Sequence, residues 1–233
     1  MKKVLISDYD NTFYINDEDI KKNKIAVSEF RKKGNIFVIA TGRSYYDFKN
    51  VSNLYNLDYD YLIINHGATI LDNNDNIFCN FTIQDEIIDE IKEDLNLNKS
   101  IKNFCCSKLE SRVNFDYNNL TKINVKYNTT EDKKYVFDKI NSKYSRYINI
   151  YNVTEDSIEI ISNKSNKSKA INFLLDKIDL PRENAFTIGD GDSDFEMIRE
   201  FNGYSMKNSD KKLKEVATKE YNSVTDLINE IMG

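Results

Sequence analysis

Proline and histidine each occur once in 233 residues and glycine seven times, so the ordinary punctuation of a chain is missing. Turns must then fall mainly to Asn and Asp, whose side chains bond to their own backbone and tolerate left-handed conformations. The single histidine, His66, cannot by itself supply a phosphohistidine relay, and its place at a turn suits a structural hydrogen bond or a minor role at a pocket mouth. The three cysteines, Cys79, Cys105 and Cys106, are odd in number and two are adjacent, which suits a reducing, cytoplasmic compartment better than a disulfide framework. No apolar run approaches a membrane span, so no membrane partner is expected. The run Val4-Leu5-Ile6 after Lys2-Lys3 stops at Ser7-Asp8, too soon for a signal peptide. Net charge is −5 with Lys and Arg dispersed, which argues against nucleic acid. A Gly-x-Ser-x-Gly elbow and a Gly-x4-Gly-Lys-Ser/Thr loop are both missing, removing serine hydrolases and P-loop NTPases.

What is present is acid placed after apolar strands. Asp8-Tyr9-Asp10-Asn11-Thr12 follows Val4-Leu5-Ile6, and Gly189-Asp190-Gly191-Asp192-Ser193-Asp194 follows Ala185-Phe186-Thr187-Ile188. Alternate carboxylates leaving a buried strand can reach one pocket, and a distant acidic loop completes an oxygen-only site of the kind Mg²⁺ demands. This makes Asp8, Asp10, Asp190 and Asp194 candidate metal ligands. A carboxylate such as Asp8 can attack phosphorus once a cation offsets the repulsion between them, giving an aspartyl-phosphate. Asp10 would then protonate the leaving group and later deprotonate water. Ile36-Phe37-Val38-Ile39-Ala40 reads as a buried parallel strand ending in Thr41-Gly42-Arg43-Ser44, at the sheet edge where α/β proteins bind ligands. Thr41 there either bonds a phosphate oxygen or caps the helix beginning near Ser44. Asn166-Lys167-Ser168-Lys169 opens an amphipathic helix carrying Ile171, Leu174, Leu175 and Ile178, and Lys167 could bridge phosphate and nucleophile.

These four segments, in this order, resemble the haloacid dehalogenase-like (HAD) superfamily of phosphohydrolases, most closely its Cof-like branch. The resemblance implies Asp8 as nucleophile, Asp10 as general acid/base, Thr41 and Lys167 as phosphate clamp with Gly42 and Arg43 beside them, and Asp190 and Asp194 at the metal. Asn65-His66-Gly67-Ala68 resembles a turn of the branch, with His66 replacing asparagine. Asn11 and Ser168 stand where the branch usually has Gly, and Ser193 where it usually has Asn. Each alters the pocket wall and none removes a charged group.

Periodicity predicts strands at 4–7 and 61–65, helices over 18–33, closed by Gly34, and 45–54, and the strand before Thr41. The rhythm returns after Lys167, with a strand at 185–188, a helix near 195–201, a short strand at 203–206 and helices near 211–216 and 224–231. This alternation implies a doubly wound parallel sheet. Between the halves lie helices over 85–95 and 131–144 and strand-like runs near 101–105, 112–115, 122–127, 147–151 and 158–161. They suggest a small inserted α+β sheet, which resembles the Cof-like cap. The expected division is a core of residues 1–83 and 164–233 and a cap of 84–163.

Cys106-Ser107-Lys108-Leu109-Glu110-Ser111-Arg112 has the Cys-x5-Arg spacing of cysteine phosphatases, but lacks glycine, carries Glu110 and precedes no helix. Lys108, Arg112 and Lys126 are the candidate cap contacts. The expected activity is Mg²⁺-dependent hydrolysis of a small-molecule phosphomonoester. A phosphomutase and a catalytically silent phosphate-ester-binding regulator are the alternatives; oligomeric state is not legible.

Overall fold

The computed structural model describes residues 2–95, 100–109, 111–115 and 117–233. In chain order the first part comprises β1 (Val4–Ser7), α1 (Asp17–Lys32), β2 (Ile36–Ala40), α2 (Tyr45–Tyr55), β3 (Tyr61–Ile64), β4 (Thr69–Asp72) and β5 (Ile77–Asn80). A middle part follows, with α3 (Asp85–Asp94), β6 (Ile101–Lys108), β7 (Ser111–Val113), β8 (Lys122–Tyr127), α4 (Thr130–Tyr144), β9 (Ile148–Thr154) and β10 (Ser157–Ser162). The chain then returns through α5 (Lys167–Lys177), β11 (Ala185–Gly189), α6 (Phe195–Glu200), β12 (Asn202–Met206), α7 (Lys211–Val216), β13 (Lys219–Tyr221) and α8 (Val224–Met232).

The first and last parts build one eight-stranded sheet, ordered β13-β12-β11-β1-β2-β3-β4-β5. Pairing is parallel from β13 to β3, while β4 and β5 join antiparallel at the edge. Strand alternation decides which helices each face receives. Leu5, Phe37, Ile39, Leu62 and Ile64 pack with α1 and α8, through Val27, Phe30, Leu227 and Ile228. Their neighbours Val4, Ile6, Val38, Ala40 and Ile63 pack with α5 and α6, through Ile171, Leu174, Met197 and Ile198. The sheet is therefore doubly wound as expected, with an antiparallel hairpin added at one edge. The hairpin and β13 are the elements the sequence pattern did not indicate. Helix starts follow side-chain capping, with Asn16, Ser44, Asn166 and Ser223 each accepting a backbone N–H of the first turn.

The middle part forms a separate antiparallel sheet, ordered β7-β6-β8-β10-β9. Its apolar face, including Ile123, Val125, Ile158 and Ile160, packs with Ile88 and Ile91 of α3 and Val136 and Ile140 of α4. Its opposite face carries a polar row across adjacent strands: Tyr151 and Asn124 both pair with Glu159, and Cys105 pairs with Asn124. Cys106 and Arg112 lie on the hairpin strands β6 and β7 rather than on an anion-binding loop; Glu110, between them, lies outside the described residues. Burial pushes the Cys106 thiol up to about 12, which removes the nucleophile that a cysteine phosphatase needs.

Gly203 tests the packing of β12 against α6. A Cβ added there would lie 1.8 Å from the Ile198 carbonyl oxygen, so Gly203→Ala is expected to lower stability by about 1–3 kcal/mol, seen as a lower urea midpoint. An unchanged midpoint would show that the helix shifts at no cost.

Candidate active site

Strands β1 and β11 run side by side with Ser7 opposite Ile188, and the Asp8 amide donates to the Ile188 carbonyl at 2.9 Å. Asp8 and Asp190 therefore leave the same edge of the sheet next to each other. The ε-ammonium of Lys167, at the first position of α5, reaches the same point and donates to Asp8 Oδ1 and Asp194 Oδ1, each at 2.6 Å. Ligand atoms of Asp8, Asp190 and Asp194 lie within 4.8 Å of one another. Burial, then the charges of Asp194 and Asp190, hold the Asp8 carboxyl well above the ordinary carboxylate range although Lys167 opposes them. Asp190 is raised by burial and Asp194, against a 2.8 Å hydrogen bond donated by Thr12. Burial works against the Lys167 charge, but Asp194 and Asp8 outweigh it and keep the lysine protonated. Crowded carboxylates whose charges disfavour one another suit an oxygen-seeking divalent cation, so the donor set fits one.

Local backbone chemistry explains how these groups are held. Asn11 has φ +57°, the left-handed region that asparagine tolerates best after glycine, so this departure from the branch pattern keeps the turn. Asp194 Oδ2 accepts from the amides of Asp190 and Gly191 at 3.1 and 3.0 Å, fixing the loop that presents Asp190. A Cβ on Gly189 would come within 2.5 Å of the Asp194 carboxyl carbon, so this glycine makes room for that carboxylate. Ser168 donates to Glu200 Oε2 at 2.5 Å and is buried, a structural use of the second departure.

Asp10 does not join the three carboxylates. Both its oxygens accept from Arg43, Oδ2 from Nε at 2.9 Å and Oδ1 from Nη2 at 2.7 Å, a two-bond grip from the loop after β2. Asp10, Gly42 and Arg43 line the cavity above the cluster. Thr41 is fully buried and is not part of that lining; its hydroxyl accepts from the Arg43 amide at 3.1 Å, so it shapes the loop that carries Arg43. Ser44, not Thr41, caps α2.

The far wall of the cavity, which encloses about 400 Å³, comes from the smaller sheet and includes Lys122, Tyr151, Asn152, Val153 and Glu159. Lys122 donates to Glu159 Oε1 at 2.7 Å and to the Gly42 carbonyl at 2.6 Å, and Asn124 donates to the same Glu159 oxygen at 3.0 Å. Glu159 Oε2 lies 2.5 Å from His66 Nε2, and the His66 ring lies 4.7 Å from the ring of Tyr151. Burial lowers the His66 pKa despite the carboxylate beside it. Burial alone would raise Glu159, but Lys122 and His66 hold it down to about 2. His66 is thus both a structural hydrogen-bond partner and part of the pocket wall.

Of the expected contacts from the smaller sheet, Lys108 and Lys126 do not line the cavity, and Lys126 pairs with Asp156 at 3.2 Å. Arg112 bonds Asp47, which does line it. Lys122 and Glu159 were missed. Their signal was available: Lys122 and Asn124 alternate with buried Ile123 and Val125, and Glu159 interrupts an isoleucine-rich strand.

The matching family model, described as a haloacid dehalogenase-like hydrolase, covers residues 5–118 and 102–229, and the chain belongs to that family. It is 31% identical to an uncharacterised protein of Mycoplasma capricolum over 89% of this chain and 91% of the relative. It is 24% identical to a Buchnera aphidicola (subsp. Baizongia pistaciae) protein named "Putative phosphatase", over 99% of this chain and 98% of that one. A haloacid dehalogenase-like hydrolase from Bacteroides thetaiotaomicron superposes with a TM-score of 0.85 at 17% identity, over 99% of this chain and 100% of that chain. A "putative HAD/COF-like hydrolase" from Plasmodium vivax gives 0.87 at 17% identity, over 99% and 95% of the two chains, so the fold is the Cof-like one.

The Glu159 carboxylate makes acid stability testable. Because its folded pKa of about 2 lies below its ordinary 4.5, the stabilisation it brings is complete above pH 4.5 and fades as pH falls toward 2. Urea midpoints of the wild type should therefore drop more steeply over that window than those of Glu159→Gln, by up to about 3 kcal/mol of stability. Parallel curves would contradict the assigned pairing.

Proposed function

We propose that this hydrolase is a Mg²⁺-dependent phosphatase of small-molecule phosphomonoesters working through an aspartyl-phosphate on Asp8. The observation that carries the reading is the buried Lys167 ammonium bonded at 2.6 Å to both Asp8 and Asp194 within the three-carboxylate cluster. Asp8 and Asp190 would hold the cation, with Asp194 beside them positioning Lys167 and the Asp190 loop. When bound, the cation supplies charge neutralisation for the phosphate.

An Asp8 oxygen attacks phosphorus, the bond to the ester oxygen breaks, and Asp10 gives that oxygen its proton. Water then attacks the same phosphorus while Asp10 takes the water proton, and the Asp8–phosphorus bond breaks to release phosphate. Lys167 offsets charge on both nucleophile and phosphoryl group throughout. Arg43 holds both Asp10 oxygens, so one of these bonds has to open for Asp10 to carry the proton it gives. We assign residues 84–163 the role of a cap that shuts bulk water from this chemistry, a division supported by their separate sheet and apolar core.

Asp8→Asn keeps the side chain's shape but removes its charge, and turnover should fall at least about a thousandfold. Near wild-type rates in a steady-state phosphate-release assay would remove Asp8 from the nucleophile role. Exhaustive chelation should abolish activity and Mg²⁺ should restore it, with Mn²⁺ or Co²⁺ as substitutes; Ca²⁺ should inhibit, because its larger, looser shell spoils in-line geometry. Full activity in chelator would exclude the metal.

A further inference from the structure

The charge pattern of the cavity narrows the substrate class, an inference that rests on the phosphatase reading above. Among the described residues, only Arg43 and Lys122 bring cationic side chains to the cavity wall, and each is already matched. Arg43 is held by Asp10 and Lys122 by Glu159. Lys167, at the nucleophile, is committed to Asp8 and Asp194, and Arg112, just outside, bonds Asp47. Asp47 and Asp192 add further negative charge to the wall.

The lining groups therefore differ in the charge they can still compensate. At the cluster, Lys167 and a divalent cation can compensate a phosphate group. On the wall from the smaller sheet a second anion would meet Glu159, whose lysine partner, Lys122, is also bonded to the Gly42 carbonyl. Glu159 is 7% exposed and anchored on both oxygens, Oε1 by Lys122 and Asn124 and Oε2 by His66, so it cannot swing away without orphaning buried partners. Its cross-strand neighbour Tyr151 offers a ring to the same wall. That surface suits the carbon face of an uncharged molecule.

We propose that Glu159 is a specificity-determining residue: by taking Lys122 as its counter-ion, it restricts the site to phosphomonoesters whose leaving group carries no further negative charge. Hydroxylated or aminated small molecules meet that condition. Carboxylated and bisphosphorylated ones do not.

Phosphonates test this without turnover, because their carbon–phosphorus bond is not a substrate for ester hydrolysis. Calorimetric titration of the Mg²⁺-supplemented wild-type protein would compare 2-hydroxyethylphosphonate with 3-phosphonopropionate. The hydroxylated ligand should bind at least about tenfold more tightly, and Glu159→Gln, by freeing Lys122, should shrink or invert that ratio. Should Glu159→Gln not fold, Lys122→Gln serves in its place and should widen the ratio, since Glu159 then stands uncompensated. Equal or tighter binding of the carboxylate by the wild type, binding of neither phosphonate, or a ratio unmoved by a folded variant would overturn the proposal. A protein that shows the predicted ratio yet hydrolyses no ester in a metabolite panel would retain the specificity rule and lose the phosphatase reading.

Discussion

A protonated lysine buried at the first position of a helix is the constraint from which the site follows. Lys167 is 2% exposed, and the helix end it occupies carries partial positive charge, so an unpaired ammonium there would cost several kcal/mol. Two carboxylates must meet it, and they come from opposite ends of the chain: Asp8 from β1 and Asp194 from the loop after β11. Asp194 spends its second oxygen on the loop amides that orient Asp190. Gly189 then has to lack a side chain, and the turn after β3 has to press close, since a Cβ on Gly67 would come within 2.3 Å of the Asn166 carbonyl oxygen. Lys167 thus gathers Asp8 and Asp194 and, through Asp194, the loop that carries Asp190. It also keeps negative charge where a cation and a phosphate can use it.

Two further charge networks connect the halves of the molecule. Lys122 and Glu159 reach from the smaller sheet to Gly42 and His66 of the larger one, and Arg112 reaches Asp47. Gly42 lies so close to His66 that a Cβ at 42 would come within 2.3 Å of the imidazole Cε1. The loop that carries Arg43, and through it Asp10, is therefore touched directly by the smaller sheet. Contact between the halves and placement of Asp10 are mechanically related.

Much of this was legible in the sequence because it is local. Apolar runs ending in acid gave β1 and β11 with their carboxylates at one edge, and Asn166 ahead of an amphipathic repeat gave the helix that carries Lys167. The hairpin of β4 and β5 was not legible, because its short strands are joined by a turn made of Asn and Asp, residues this chain uses everywhere, with Asp75 at φ +64°. Asp10 was expected among the metal ligands from its spacing alone; spacing says which edge a carboxylate leaves, not that Arg43 will hold both of its oxygens. Lys122, Glu159 and His66 meet only through tertiary packing, since Glu159 lies 93 residues from His66. Lys126, on the same strand and face as Lys122, pairs with Asp156 and does not line the cavity.

The central claim is that Asp8 carries the phosphoryl group. It is tested most directly by acid-quenching the Asp10→Asn protein after mixing with an aryl phosphate and Mg²⁺, then measuring intact mass and mapping the peptides. An aryl leaving group departs with little proton donation, whereas the second step still lacks its base, so a phosphoryl adduct should accumulate on the peptide containing Asp8. Rapid release of aryl alcohol with no adduct on that peptide, or an adduct on another residue, would contradict the account.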